Sequence, residues 1–181
     1  MRVVAGTARG LRLDAPPGVG TRPTSDRVRE AIFNSLHSAD LVVDATVLDL
    51  FAGSGALGIE ALSRGAAHAT FVESDRAALA TLRANIERCG LVGRATVVAS
   101  SAERFLDRSA VAERPFDLAL LDPPYAFDTW SDLLRSIDAA TLVVESDRDI
   151  EIPTRWDVMR HRAYGSTVVQ IATRSPQEQL K

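Results

Sequence analysis

Val47-Leu48-Asp49-Leu50-Phe51-Ala52-Gly53-Ser54-Gly55-Ala56-Leu57-Gly58 is the stretch on which the reading of the fold depends. An apolar run carries an acid near its end, passes through a glycine-rich turn and continues with apolar residues at helical spacing. Glycines let the backbone approach a ligand closely, and the N–H groups at a helix start favour a carboxylate or phosphate. Residues 53–58 also fit the dinucleotide spacing G-x-G-x-x-G, which by itself discriminates little. Asp49 discriminates more. A carboxylate at the carboxyl end of a strand repels a pyrophosphate and attracts the ammonium of a methionine moiety. The loop Asp49, Phe51, Ala52, Gly53, Ser54 and Gly55 therefore suits S-adenosylmethionine better than NAD.

Outward from this loop the pattern alternates. Strands are expected over 46–50, 69–72, 95–99, 116–121 and 142–144, with helices over 56–64, 76–88, 102–111 and 129–137 between them. Segments 157–162 and 167–172 read as a closing hairpin. Such alternation implies an α/β fold with a mostly parallel, doubly wound sheet, whose ligands sit at the carboxyl ends of the strands. Before this body, residues 2–13 read as a β-hairpin and 14–21 as a Pro/Gly linker. A helix follows, carrying Val28, Ala31, Ile32 and Leu36 on one face, with Thr24 as its N-cap. The expected organisation is an N-terminal extension (1–20), one main domain (21–174) and a frayed tail (175–181).

Three further strand ends carry chemistry. Glu73 lies twenty positions after Gly53, where a carboxylate can accept hydrogen bonds from ribose hydroxyls. Ser101 and Ala102 follow the third strand, where an adenine would reach; Ser101 is equally suited to cap the next helix. Asp122-Pro123-Pro124-Tyr125 follows the fourth strand. The lone pair of a base's exocyclic amine is delocalised into the ring. An aspartate and a backbone carbonyl that each accept one amine hydrogen would aim that lone pair at a methyl donor. Prolines stiffen such a loop, and Tyr125 offers a face on which an extruded base can stack.

Composition sets the outer bounds. The 181 residues are 46% hydrophobic and 25% charged, enough for one folded domain. No run approaches a membrane span or a signal peptide, and the single cysteine, Cys89, excludes an internal disulfide. A cytoplasmic monomer is expected. The net charge of −3 is unevenly spread: residues 1–37 hold six arginines (Arg2, Arg9, Arg12, Arg22, Arg27, Arg29) against three acids, leaving +3 there and −6 elsewhere. A basic segment on an acidic body can mark a nucleic-acid contact.

The D-x-F-x-G-x-G loop followed by D-P-P-Y resembles the Class I amino-methyltransferases. The segments Arg2-Val3-Val4-Ala5-Gly6-Thr7-Ala8-Arg9-Gly10 and 21–34 (Thr21-Arg22-Pro23-Thr24-Ser25-Asp26-Arg27 onward) narrow the resemblance to the bacterial 16S rRNA guanine-N2 methyltransferases. The resemblance implies a Rossmann-like sheet with a reversed last strand, an N-terminal β-hairpin, S-adenosylmethionine as cofactor and no metal. It implies a cofactor pocket lined by Asp49, Phe51, Ala52, Gly53, Ser54, Gly55, Glu73, Ser101 and Ala102, and a catalytic loop of Asp122, Pro123, Pro124 and Tyr125. The substrate would be small-subunit ribosomal RNA, in an assembled or assembling subunit. Arg9, Arg22 and Arg27 are the candidates for RNA contact, although pairing with Asp26 or Glu30 would account for such arginines as well. Phe33 and Asn34 are candidates for closing the cofactor pocket, with core packing the preferred reading for Phe33. Residues 126–140 are short for the family.

Other readings stay open at this point: adenine N6 or protein glutamine as the methyl acceptor, a non-catalytic RNA-binding module, and an NAD oxidoreductase, against which Asp49 stands. His37, His68 and His161 show no metal-ligand spacing. Arg155, Trp156, Arg160, Arg162 and Tyr164 mix basic and aromatic residues, as either an RNA surface or a solvated edge strand would.

Overall fold

The computed structural model describes residues 1–17, 26–109 and 115–176. Arg22 and Thr24 lie outside these residues. The elements are α1 (Asp26–Ser38), β1 (Thr46–Asp49), α2 (Ala56–Ser63), β2 (His68–Glu73), α3 (Arg76–Arg88), β3 (Ala95–Ala99), α4 (Ala102–Ser109), β4 (Phe116–Leu121), α5 (Trp130–Ser136), β5 (Ala139–Ser146), β6 (Trp156–Tyr164) and β7 (Thr167–Arg174). They form one seven-stranded sheet in the order β3-β2-β1-β4-β5-β7-β6. β1 to β5 pair in parallel, while β7 runs antiparallel to both β5 and β6. β6 is thus parallel to the main body, and β7 alone is reversed.

Burial explains why β7, the last strand, sits inside the sheet and β6 at its edge. Val169 and Ile171 of β7 belong to the core under α1, α2 and α3, while Ala172 belongs to the core under α4 and α5. A strand apolar on both faces is stable only with both faces covered. β6 buries Trp156 alone and leaves most of its residues in water, as an edge tolerates. A bulge between Val158 and Arg160 interrupts its register.

The hairpin expected at residues 2–13 is held by a single antiparallel bridge, Arg2 to Arg12, continued by Val3 N–H to Leu11 and Leu13 N–H to Met1 (both 3.0 Å). Helix side chains satisfy much of the rest of its backbone. Buried Glu60 accepts from the N–H groups of Val4 (2.7 Å) and Ala5 (3.0 Å). Ser63 accepts from Ala8 N–H (2.9 Å) and donates to the Ala5 carbonyl. Val3, Ala8 and Leu13 enter the same core as α1, so this arm is fastened along its length.

Arg29 repeats the theme. It is fully buried in α1, hydrogen-bonds the carbonyl of Arg2 and Asp26, and lies 3.5 Å from Glu60. One of the six arginines of the basic segment is therefore internal. The partner of Asp26 is Arg29 rather than the candidate Arg27.

Candidate active site at the strand ends

A cavity of about 670 Å³ opens at the carboxyl ends of β1 to β4. Its lining gathers Asp49, Phe51, Ala52, Gly53, Ser54, Glu73, Ser101, Ala102, Asp122, Pro123, Pro124 and Tyr125, which lie far apart in the chain. Of the sequence-derived pocket residues, Gly55 stands one position behind the wall. It is the left-handed N-cap of α2 (φ 81°), and a side chain there would meet Leu82 at 2.4 Å.

Asp49 is 2% exposed and accepts from the N–H of Gly58 at 2.9 Å, so it caps α2 from beneath. Gly58 must lack a side chain, because a Cβ would lie 2.3 Å from the Phe71 ring and 3.0 Å from the Asp49 carboxylate. Burial pushes the Asp49 carboxyl up to about 7. The Gly58 N–H opposes the shift, and Asp122 and Glu73 add to it.

Glu73 is held by three backbone N–H groups: Gly53 (2.8 Å), Ser74 (2.7 Å) and Asp75 (2.8 Å). The glycine loop is thereby tied to the end of β2. Ser101 caps α4, accepting from Arg104 N–H at 3.3 Å, so its capping role is realised at the cavity wall.

Sequence reasoning missed several residues here. Met1, Ala15 and Pro16 of the arm line the cavity. Asn85 of α3, fully buried, donates to the carbonyls of Ser54 (2.9 Å) and Asp14 (3.0 Å) and accepts from Asp14 N–H (2.9 Å), joining arm and glycine loop. Phe127 packs edge-on against Phe51 (5.4 Å) and Trp130 (5.2 Å), bracing the segment after Tyr125. Arg148 donates to the carbonyls of Tyr125 (3.4 Å) and Phe127 (2.8 Å). The only available signals, a polar residue on an amphipathic helix and an arginine in a loop, have no distinctive spacing.

The alternatives for Phe33 are decided in favour of core packing, and the expectation that Asn34 closes the pocket is corrected. Phe33 is fully buried in the core, its ring under the Arg64 guanidinium at 5.4 Å, and Asn34 accepts from Arg64 at 3.2 Å. Neither lines the cavity. The position of α1 decides this: its apolar face docks on α2 and the sheet. Arg9 and Arg27 are exposed and form no ion pair among the described residues. Arg155 is drawn inward by the carbonyls of Leu134 and Ile137, and it covers the Trp156 ring, leaving Arg160 and Arg162 as the basic residues on β6.

The donor set fits the sulfonium cofactor. Five acidic residues (Asp49, Glu73, Asp75, Glu103 and Asp122) border one cavity, which favours a cation and disfavours a dinucleotide's pyrophosphate. Comparison with known proteins agrees with this chemistry. The model of the family described as Conserved hypothetical protein 95 matches residues 1–173. Ribosomal RNA small subunit methyltransferase D of Escherichia coli (strain K12) is 38% identical over 187 residues, covering 98% of this chain and 91% of that protein. The chain belongs to this family of Class I S-adenosylmethionine-dependent methyltransferases.

YlbH of Bacillus subtilis (strain 168), 41% identical over 181 residues, covers 94% of the chain and 97% of its own. Among solved structures, the yhhF protein from Escherichia coli superposes with a TM-score of 0.81 at 38% identity, over 97% of this chain and 98% of that one. A hypothetical protein of Thermus thermophilus gives 0.83 at 34% identity, over 96% and 99%. These similarities span the arm as well as the sheet, so the fastened N-terminal segment lies within the family's extent.

Proposed function

We propose that the protein transfers a methyl group from S-adenosylmethionine to the exocyclic N2 amine of a guanine in small-subunit ribosomal RNA, with the base extruded against Asp122–Tyr125. The observation that carries this reading is that Asp122, Pro123, Pro124 and Tyr125 border the same cavity as Asp49 and Glu73, with Tyr125 47% exposed at its mouth. The names of the E. coli and Haemophilus influenzae relatives support the RNA substrate.

The cofactor supplies an electrophilic methyl group. When the cofactor is bound, Asp49 would hold its ammonium and Glu73 its ribose, with Ser101 and Ala102 beside its adenine. Asp122 and a loop carbonyl accept the two amine hydrogens, which turns the nitrogen lone pair outward. Tyr125 stacks on the flipped base. Most of the rate comes from position and electrostatics. Arg9, Arg22 and Arg27 hold phosphates of the rRNA, which is met within an assembled or assembling subunit.

The test is methyl transfer from labelled cofactor to undermethylated small subunits and to naked rRNA, read by nucleoside mass spectrometry. Label in N2-methylguanosine is expected. Label in N6-methyladenosine would replace the target, and label in protein would replace the substrate class. Asp122→Ala is expected to lose transfer by at least about 100-fold while still binding cofactor.

A further inference from the structure

A second depression, of about 390 Å³, lies between α1 and the edge strand β6. Ala31, Asn34, Ser35 and Ser38 form one wall, and Met159 and Arg160 the other. Its position relative to the candidate active site follows from sheet register. Leu121, the last residue of β4, pairs with Val144, Val144 with Gln170, and Gln170 with His161. One residue further along, Asp122 falls level with Glu145, Val169 and Arg162. β4 and β6 are three strand spacings apart, so Arg162 stands roughly 14 Å from the Asp122 loop along the same edge of the sheet.

Facing residues of an antiparallel pair share a side of the sheet. Arg160 faces Ile171 and Arg162 faces Val169, both of which pack in the core beneath α1. The two arginines therefore project on the α1 side. His161, between them, projects on the other side and pairs with Asp149. On α1, Arg27 lies one turn before Ala31, on the side of the helix start that Arg29 holds beside Arg2 and Met1. Met1 also lines the cavity.

Absence of an ion pair among the described residues is shared with other arginines, Arg9 among them; what sets Arg160 and Arg162 apart is that register puts both on the α1 side of the edge strand. Arg29, Arg64, Arg88, Arg135, Arg148 and Arg174 each contact a carboxylate. Arg27, Arg160 and Arg162 form no ion pair among the described residues, in a chain whose net charge is −3. Unneutralised guanidinium groups at and beside a polar groove are complementary to a phosphodiester backbone.

We propose that the α1–β6 groove is a second RNA-binding surface, in which Arg160 on its wall and Arg162, next to it on the same face towards the Asp122 level, hold phosphates of the strand that flanks the target nucleotide. The proposal rests on RNA being the substrate. It extends the contact region from the N-terminal arm across α1 to the β6 edge of the sheet.

The test compares wild type with Arg160→Ala/Arg162→Ala for binding to a small-subunit rRNA transcript at several salt concentrations, with cofactor affinity and melting temperature measured alongside. The double variant is expected to bind the transcript about tenfold more weakly and to lower the slope of log K against log salt by about 1.5. KM for RNA should rise with kcat little changed, and cofactor affinity and melting temperature should stay at wild-type values. Arg162→Glu, wholly on the surface, gives the same test should the double variant unfold. An unchanged salt slope with an active wild type overturns this surface alone. A defect seen on assembled subunits but absent on the naked transcript assigns the groove to a ribosomal protein and likewise overturns it. Absence of RNA methylation by wild type itself removes the functional reading on which the proposal stands.

Discussion

Arg148 donates to the carbonyl of Phe127 at 2.8 Å, so a side chain from beyond β5 holds the segment that leaves β4 through Asp122–Tyr125. The same guanidinium reaches the Tyr125 carbonyl and is steadied by Asp147 at 2.8 Å. Two prolines in the loop have no N–H to anchor it, so fastening falls to its carbonyls. Arg148→Ala should therefore lower kcat by roughly tenfold or more through misplacement of Asp122, with cofactor affinity within about twofold of wild type. Steady-state kinetics with a separate cofactor titration checks this. Unchanged kcat would show that the aromatic contacts of Phe127 suffice.

Asp49 ties cofactor binding to pH. Its carboxyl, pushed up to about 7 by burial, is partly protonated at neutral pH, and only the ionised form attracts an ammonium. Cofactor affinity should fall as pH drops from 8 to 6, with protons released on binding at neutral pH. In Asp49→Asn that pH dependence should disappear and affinity should be weak throughout. Calorimetric titration in buffers of different ionisation enthalpy measures both. An equal pH slope in the variant would move the effect to Glu73 or Asp122.

The same group affects stability with the opposite sign. Its folded pKa lies above the unfolded value of 3.8, so the folded chain holds the proton more tightly. Its contribution is greatest below about pH 4 and is lost as pH rises through 7. Cofactor-free Asp49→Asn should thus melt several degrees above wild type at pH 8, with the gain shrinking towards pH 4. A gain that is the same at both pH values would mean that packing, rather than charge, sets the difference.

Glu60 fastens the arm and is fully buried with Arg29. It also contacts Arg64 at 2.7 Å and takes the N–H groups of Val4 and Ala5. Glu60→Ala leaves Arg29 buried without that countercharge, a change that costs about 3–5 kcal/mol. A drop in melting temperature of roughly 10 °C is expected. The wall formed by Met1, Ala15 and Pro16 should loosen with it, so cofactor affinity should fall as well. Thermal melts and cofactor titration on the same preparation separate the two effects, and intact affinity in a destabilised variant would free the arm from any role in the pocket.

The alternation of strands and helices, the glycine loop and the acids at strand ends were all legible in the chain. Each is a local signal: the apolar period, the turn chemistry and the strand-end position fall within about a dozen neighbouring residues. Strands expected at 95–99 and 116–121 match β3 and β4, and the helix expected at 76–88 matches α3. The fifth strand, expected over 142–144, extends over Ala139–Ser146, because Thr141, Glu145 and Ser146 are polar residues that become buried only between β4 and β7.

Sequence by itself determined which residues line the strand ends, since parallel topology sends every β-to-α turn to the same edge. Tertiary structure alone decided what encloses them. Met1, Ala15 and Pro16 reach the cavity because Glu60, Ser63 and Asn85, between about 55 and 71 positions away, satisfy the arm's backbone. Arg148 reaches the Asp122–Tyr125 segment because β5 lies beside β4, and Arg162 comes level with Asp122 because β7 inserts between β5 and β6. None of these contacts has a fixed spacing along the chain. They exist because buried donors, acceptors and apolar faces must find partners across the folded sheet.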